Sequence, residues 1–233
     1  MGKKIIGPSL ISKGINKLDM VIITHYDNDH VGGLPFIIDN FSVSTLIDNG
    51  RFHINKYKFP DKFEKKLKSK NISIKQSKTG TMDIEKDIFL DFFSIFSKKE
   101  TNSMSENNAS VIFKLKFKSF TALFTGDLEE TGEKKLVKQF KSNLQSDIYK
   151  CGHHGSKTSS SSNLLNAVRP RLSIISAGQK NRYGHPSKSV LDTLKTFNSL
   201  IISTKVNGAV EVLTDGHDYY VKPFIGEWTP NLL

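Results

Sequence analysis

Between Thr24 and Gly33 the chain reads Thr-His-Tyr-Asp-Asn-Asp-His-Val-Gly-Gly, so ten residues hold two imidazoles, His25 and His30, and two carboxylates, Asp27 and Asp29. They follow the apolar run Met20-Val21-Ile22-Ile23, which reads as a strand buried on both faces. The four polar groups therefore sit at a strand's C-terminal mouth. Crowded there, they repel and desolvate one another unless a cation holds them, and mixed nitrogen and oxygen donors suit zinc, manganese or iron. The competing reading is a solvated polar loop that merely ends the strand.

Three further strand ends carry chemistry of the same kind. Phe120 to Thr125 is a short apolar strand running into Gly126-Asp127, where the glycine lets the backbone approach a bound group and the Asp points into the sheet mouth. Capping of a helix over Leu128 to Phe140 explains such an Asp equally well. Asp147 to Lys150 leads to Cys151-Gly152-His153-His154-Gly155-Ser156-Lys157, and Leu172 to Ser176 leads to Asn181-Arg182-Tyr183-Gly184-His185-Pro186. Five of the seven histidines fall in these loops. If the strands share one sheet edge the clusters converge, as a catalytic site requires. His53 and His217 stand alone near turns and read as surface residues.

The elements that must position these residues change rhythm along the chain. Pro8 to Lys13 has helical spacing with Gly14 as its stop; Leu34 to Asn40 reads as a helix, Val43 to Ile47 as a strand, Asp61 to Lys70 as a helix and Ile72 to Gln76 as a strand. That βαβαβ order predicts parallel strands. Ile84 to Phe96 and Ser110 to Phe117 then alternate apolar and polar residues, which predicts half-buried antiparallel strands around an exposed loop, Ser97 to Asn108. Lys118-Ser119 turns the chain, and Ser162 to Val168 reads as another helix.

At 233 residues the chain is most simply one domain, residues 1–233, of the α/β class. No stretch has the roughly 20 apolar residues of a membrane span and no signal segment opens the chain, so a soluble, cytoplasmic protein is the default, extracytoplasmic only as part of a larger membrane protein. One cysteine, Cys151, excludes an internal disulfide framework. The net charge of +11 suits a polyanion such as nucleic acid, although only four of the 34 basic residues are arginine and a lysine-rich background yields the same figure.

Taken together, Thr24-His25-x-Asp27-x-Asp29-His30-x-Gly32-Gly33, Asn107-Asn108, Thr125-Gly126-Asp127, Gly152-His153-His154-Gly155-Ser156-Lys157 and Asn181-Arg182-Tyr183-Gly184-His185-Pro186 resemble the metallo-β-lactamase-fold hydrolase domain of ComEC-type competence proteins. The resemblance runs down to Asp215-Gly216. It implies an αββα sandwich with two divalent ions, zinc or manganese. In that reading His25 and Asp27 hold one ion, Asp29 and His30 the other, Asp127 bridges them, and His153 or His154 completes a site. Asp29, His154, His185 and Arg182 take the catalytic roles, with Lys157, Asn181, Arg182 and His185 facing substrate. The activity implied is a nuclease or phosphodiesterase on DNA in a competence-like setting.

The chain departs from the family pattern in three places. Asp27 stands where the commonest motif has His, which moves preference toward harder metals such as manganese. The histidine usual between that motif and the bridging Asp is replaced near its place by Asn108. The family's opening strands, with their Asp-x-Gly-Gln-Gly-Asp motif, have no counterpart in Met1 to Asp19, so an N-terminally shortened sandwich with a partner or second copy over its edge is expected. Two rivals accompany the nuclease reading: hydrolysis of a phosphocholine-type ester or a lactam on the same fold, and a module with an incomplete site that binds without turnover.

Overall fold

The computed structural model describes residues 2–55, 58–60 and 62–226. Two compact units are present, Met1–Lys78 with Phe96–Val111, and Thr79–Ile95 with Ile112–Leu233.

In the first unit α1 (Gly7–Ser12) follows a π-helical turn, Gly2–Ile6, has a proline in its first turn and ends before Gly14, whose φ of +70° suits glycine. Strands β1 (Lys17–Ile22), β2 (Ser42–Asp48) and β3 (Ser73–Gln76) form a parallel sheet in the order β1-β2-β3. Parallel strands need crossovers, supplied by α2 (Asn28–Val31) and α3 (Leu34–Asn40) after β1, and by α4 (Phe52–Asn55) and α5 (Phe63–Ser69) after β2. The expected α3 is found with the predicted bounds. The expected helix from Asp61 to Lys70 is present as α5; Asp61 lies outside the described residues. One expectation fails: β1 is half-buried rather than buried on both faces, because it is an edge strand and β2, ending in buried Leu46, Ile47 and Asp48, takes the central place. The core joins Ile23, Tyr26, Leu34, Ile38, Leu46 and Leu67.

The segment expected as an exposed loop, Ser97 to Asn108, contains α6 (Lys98–Ser103). Ser97 and Glu100 form a capping box, each side chain accepting from the other residue's amide at 3.3 and 2.8 Å. Such reciprocal bonds satisfy two amides that a helix start otherwise leaves unpaired.

The second unit has a seven-stranded mixed sheet. The stretch from Ile84 to Phe96, read as one strand, is instead part of a hairpin, β4 (Gly80–Glu85) and β5 (Ile88–Phe92), turned at Asp87 with φ +63°. Strands β6 (Phe113–Phe117) and β7 (Phe120–Phe124) continue the antiparallel half, as the alternation predicts. From β7 the sheet becomes parallel through β8 (Ile148–Lys150), β9 (Leu172–Ile175) and β10 (Leu200–Ser203), in the order β10-β9-β8-β7-β6-β5-β4. Helices α7 (Glu130–Phe140), α8 (Ser162–Val168) and α9 (Lys188–Thr196) are the crossovers, and α10 (Thr204–Asn207) follows β10. A final hairpin, β11 (Val210–Thr214) and β12 (Tyr219–Pro223), packs Tyr219 and Val221 on Phe120, Ala122, Ile148, Leu172 and Ile202 of the large sheet. Because β7, β8 and β9 are parallel neighbours, their C-terminal ends lie along one edge of this sheet, and that edge carries three of the four chemical loops.

Candidate metal centre

In the first unit the donor loop leaves β1 and turns into α2. His25 is fully buried, and its ring centroid lies 4.1 Å from that of His30. The Thr24 hydroxyl sits between the two imidazoles, 3.1 Å from His25 Nδ1 and 3.2 Å from His30 Nδ1. A hydroxyl oxygen has two lone pairs, so it can accept from both Nδ1–H groups and leave each Nε2 with the lone pair a metal ligand needs. The Nε2 edges face carboxylates, His25 toward Asp27 at 3.8 Å and His30 toward Asp29 at 4.0 Å. Ser110 Oγ stands 3.4 Å from His25 Nδ1.

A polar network from distant sequence holds this loop. The Tyr26 amide donates to Glu106 at 3.2 Å, and Glu106 pairs with Arg51 at 3.1 Å and accepts from Asn55. Arg51 also donates to the Met104 carbonyl. The Tyr26 hydroxyl donates to buried Asp48, whose carboxylate accepts from the Gly50 and Phe52 amides. Burial, and then the Asp48 carboxylate, push the Tyr26 phenol well above its ordinary range. Lys58 donates to the Tyr26 carbonyl at 2.6 Å and lies 3.6 Å from Asp27.

In the second unit the donors hang on backbone. Asp127 follows Gly126, whose φ is +57°, and is only 4% exposed; the helix cap that follows is Glu129, so capping does not account for Asp127. His153 and His154 both adopt left-handed backbone, φ +46° and +55°, and Gly155 continues at +79°. L-residues pay roughly 1–2 kcal/mol each for that conformation, and such strain collects where side chains must be aimed. Both rings are aimed at Asp127, with Nε2 to Oδ2 distances of 3.9 Å for His153 and 3.7 Å for His154. His154 Nδ1 lies 2.7 Å from the Ser176 carbonyl. A carbonyl only accepts, so that nitrogen carries the proton and Nε2 presents its lone pair to the Asp127 side. His153 Nδ1 stands 3.3 Å from the Thr158 hydroxyl and 3.8 Å from Glu129.

The same sheet edge brings His185 up to the pair, its ring 5.8 Å from that of His153. Burial first, then the neighbouring imidazoles, lower the His185 pKa. Asn181 holds the loop closed: it donates to the Gly178 and His185 carbonyls and accepts from the His185 amide, all at 2.8 Å. Arg182 and Lys157 are exposed beside these groups in sequence. Lys150, at the end of β8, donates to the Cys151 carbonyl at 2.9 Å, and burial lowers its pKa.

Each donor set fits a divalent metal. The proton on His154 Nδ1, a buried carboxylate opposite two Nε2 atoms, and the hydroxyl shared by His25 and His30 are the surroundings that fix imidazole ligands. The sequence motifs do not by themselves assign Thr24 and the Ser176 carbonyl as orienting groups. Thr24 lies inside the quoted motif and offered a signal; a backbone carbonyl offers none.

The Metallo-beta-lactamase superfamily model matches residues 2–179, more than half of the chain, and the chain belongs to that superfamily, an α/β fold with mixed sheets whose members use divalent metals. Its curated relatives include a competence protein and a recombination protein. It is 32% identical over 211 residues to ComE operon protein 3 of Bacillus subtilis, covering 91% of this chain and 26% of the relative. It is 29% identical to Competence protein ComA of Neisseria gonorrhoeae (88% and 27%), and 30% identical to Recombination protein 2 of Haemophilus influenzae (88% and 23%). The chain thus spans about a quarter of the length of these relatives. Among solved structures, CmlA, a diiron β-hydroxylase from Streptomyces venezuelae, has a TM-score of 0.53 at 12% identity, covering 80% of this chain and 43% of that one. No helix among the described residues is long and apolar enough to cross a membrane.

Proposed function

We propose that the chain is a hydrolase that cleaves phosphodiesters with two divalent ions, zinc or manganese, and with DNA as its substrate, and that His25, Asp27, Asp29 and His30 in the first unit and Asp127, His153 and His154 in the second are its metal ligands. The observation that carries this reading is the His154 ring, protonated toward the Ser176 carbonyl and aimed through Nε2 at buried Asp127. Such an imidazole has little use in a binding module without metal. Similarity to a competence protein and to a recombination protein supports the choice of DNA, as does the net charge of +11.

Two divalent ions, when bound, supply Lewis acidity toward a phosphoryl oxygen and a lowered pKa for an attacking water. The chain supplies the rest. Asp29 in the first unit and Asp127 in the second would each supply a carboxylate oxygen and negative charge to a bound cation. Arg182 and Lys157 neutralise charge growing on the non-bridging phosphate oxygens, and a planar guanidinium can do so through two parallel donors. His185, on a loop closed by Asn181, offers a hydrogen bond to the departing oxygen.

The test is cleavage of single- and double-stranded DNA by the purified protein with manganese or zinc, beside an Asp29→Ala/His30→Ala variant. Metal-dependent cleavage by the wild type, abolished in the variant, is expected. Equal activity in both proteins sinks the assignment.

A further inference from the structure

An aromatic side chain that metal chemistry does not use stands outside the ligand turn of the second unit. Tyr183 is 65% exposed, and its ring lies 5.7 Å from that of His185 at an interplanar angle of 18°. His185 in turn meets His153 edge to face at 5.8 Å. On Tyr183 itself, the Arg182 guanidinium carbon lies 4.7 Å from the ring centroid, and Arg182 donates to the tyrosine hydroxyl. The rings of His153, His185 and Tyr183 therefore follow one another outward, with Arg182 held against the outermost ring.

The loop under these rings is held at both ends. Asn181 makes three hydrogen bonds across it, and the Ser187 amide donates to the Gly155 carbonyl at 2.9 Å. Pro186 lies where a β-carbon on Gly155 would reach, at 2.7 Å, so this glycine is what lets the loop lie against the histidine turn. The tyrosine is thus preorganised as well as exposed. A large apolar ring kept in water on a braced loop is unfavourable by itself, and a flat π-ligand would cover it.

We propose that Tyr183 and Arg182 form a stacking subsite for one unpaired nucleobase next to the metal ligands, which makes single-stranded nucleic acid the preferred substrate class. This rests on the phosphodiesterase reading above and adds a residue to it. Stacking on tyrosine and on guanidinium tolerates any base, because every base has a π-face. Within a duplex those faces are covered by neighbouring bases and only the edges reach the grooves, so the subsite discriminates by strandedness rather than by sequence. Arg182, held against the Tyr183 ring, brings its N–H groups to the phosphate of the same nucleotide.

The experiment is an equilibrium titration of the purified full chain against a short single strand bearing 2-aminopurine and against the matching hairpin duplex, read by fluorescence. Wild type quenches the single strand. Tyr183→Ala weakens single-strand binding about tenfold and duplex binding less, while Tyr183→Phe, which keeps the ring, stays within about twofold of wild type. Tyr183→Leu, which keeps an apolar side chain without a π-face, shows the alanine loss and controls for collapse of the loop. Unchanged binding in the alanine variant overturns the proposal, as does equal loss on duplex, or loss in Tyr183→Phe as large as in Tyr183→Ala. Cleavage of the same oligonucleotides separates this inference from its parent. Binding that follows Tyr183 without cleavage leaves the subsite standing and removes the hydrolase; cleavage indifferent to Tyr183→Ala does the reverse.

Discussion

The two units place histidines by opposite means. In the first, the orientation of His25 and His30 comes from a side chain, the Thr24 hydroxyl, and the loop is braced by Glu106, 80 residues from the Tyr26 amide it accepts from. In the second, orientation comes from the main chain: left-handed φ at His153 and His154 aims both rings at Asp127, and a backbone carbonyl fixes the His154 tautomer. A side-chain brace can be removed by one substitution. A backbone brace is broken only by changing which conformations the chain can adopt.

The sharpest break in that comparison is Glu106→Ala. It leaves Arg51, whose side chain is 9% exposed, with backbone carbonyls but without that carboxylate, and frees the Tyr26 amide. Removing one partner of a buried pair costs about 3 kcal/mol, so a clear fall in the urea midpoint of unfolding is expected, and a change below about 1 kcal/mol would show that the brace is dispensable.

Next comes Thr24→Val, which keeps the shape and deletes the hydroxyl shared by two imidazoles. Loss of such an outer partner lowers metal affinity or activity by about 10–100-fold. Ser176→Ala is the counterpart in the second unit: because the carbonyl belongs to the backbone, metal binding measured by competitive chelator titration should stay at the wild-type value. Equal losses in the two variants would erase the distinction.

Gly155→Ala attacks the backbone brace itself. It places a β-carbon at φ +79° and within 2.7 Å of Pro186, for a cost of about 1–3 kcal/mol. The expected reading is a lower Tm together with a changed His185 resonance in an NMR spectrum; an unshifted Tm would count against a braced turn.

The smallest effect is on pH dependence. Cys151 is fully buried, and burial pushes its thiol up to about 12, so the folded chain holds a proton that the unfolded chain releases in the ordinary thiol range. The folded state binds more protons there, so this contribution is present at pH 7 and is lost as pH rises from about 8.5 toward 12. Alkylation by iodoacetamide at pH 8 should therefore be negligible in the native protein and rapid in denaturant. Native-state labelling at the denatured rate would contradict the burial.

Much of this was legible one residue at a time. An apolar run ending in His25, Asp27, Asp29 and His30 announces a strand and its polar mouth, and the helix Leu34–Asn40 and the strand Leu172–Ile175 follow from periodicity and bounding glycine and serine residues. The capping box at Ser97 and Glu100 is present in the sequence as a serine three residues before a glutamate, yet the stretch around it is polar without apolar periodicity, so the sequence predicts a loop where α6 forms. The alternation that marks β5 and β6 does not mark the turn at Asp87, so the stretch expected as strand from Ile84 runs through that turn, and Gly80 to Asp83 of β4 carries no such signal.

By itself, then, the order of residues determined which side chains could bind a metal and that each stands at the end of a strand, because local periodicity and turn chemistry act over a few neighbours. Only the tertiary structure decided that β1 is an edge strand, that Glu106 reaches the Tyr26 amide, that His154 is protonated toward Ser176, and that Tyr183 stands at the outer end of a row of rings. Those outcomes depend on contacts between residues far apart in sequence and on backbone dihedrals that histidine does not choose alone. They are settled when the whole unit packs.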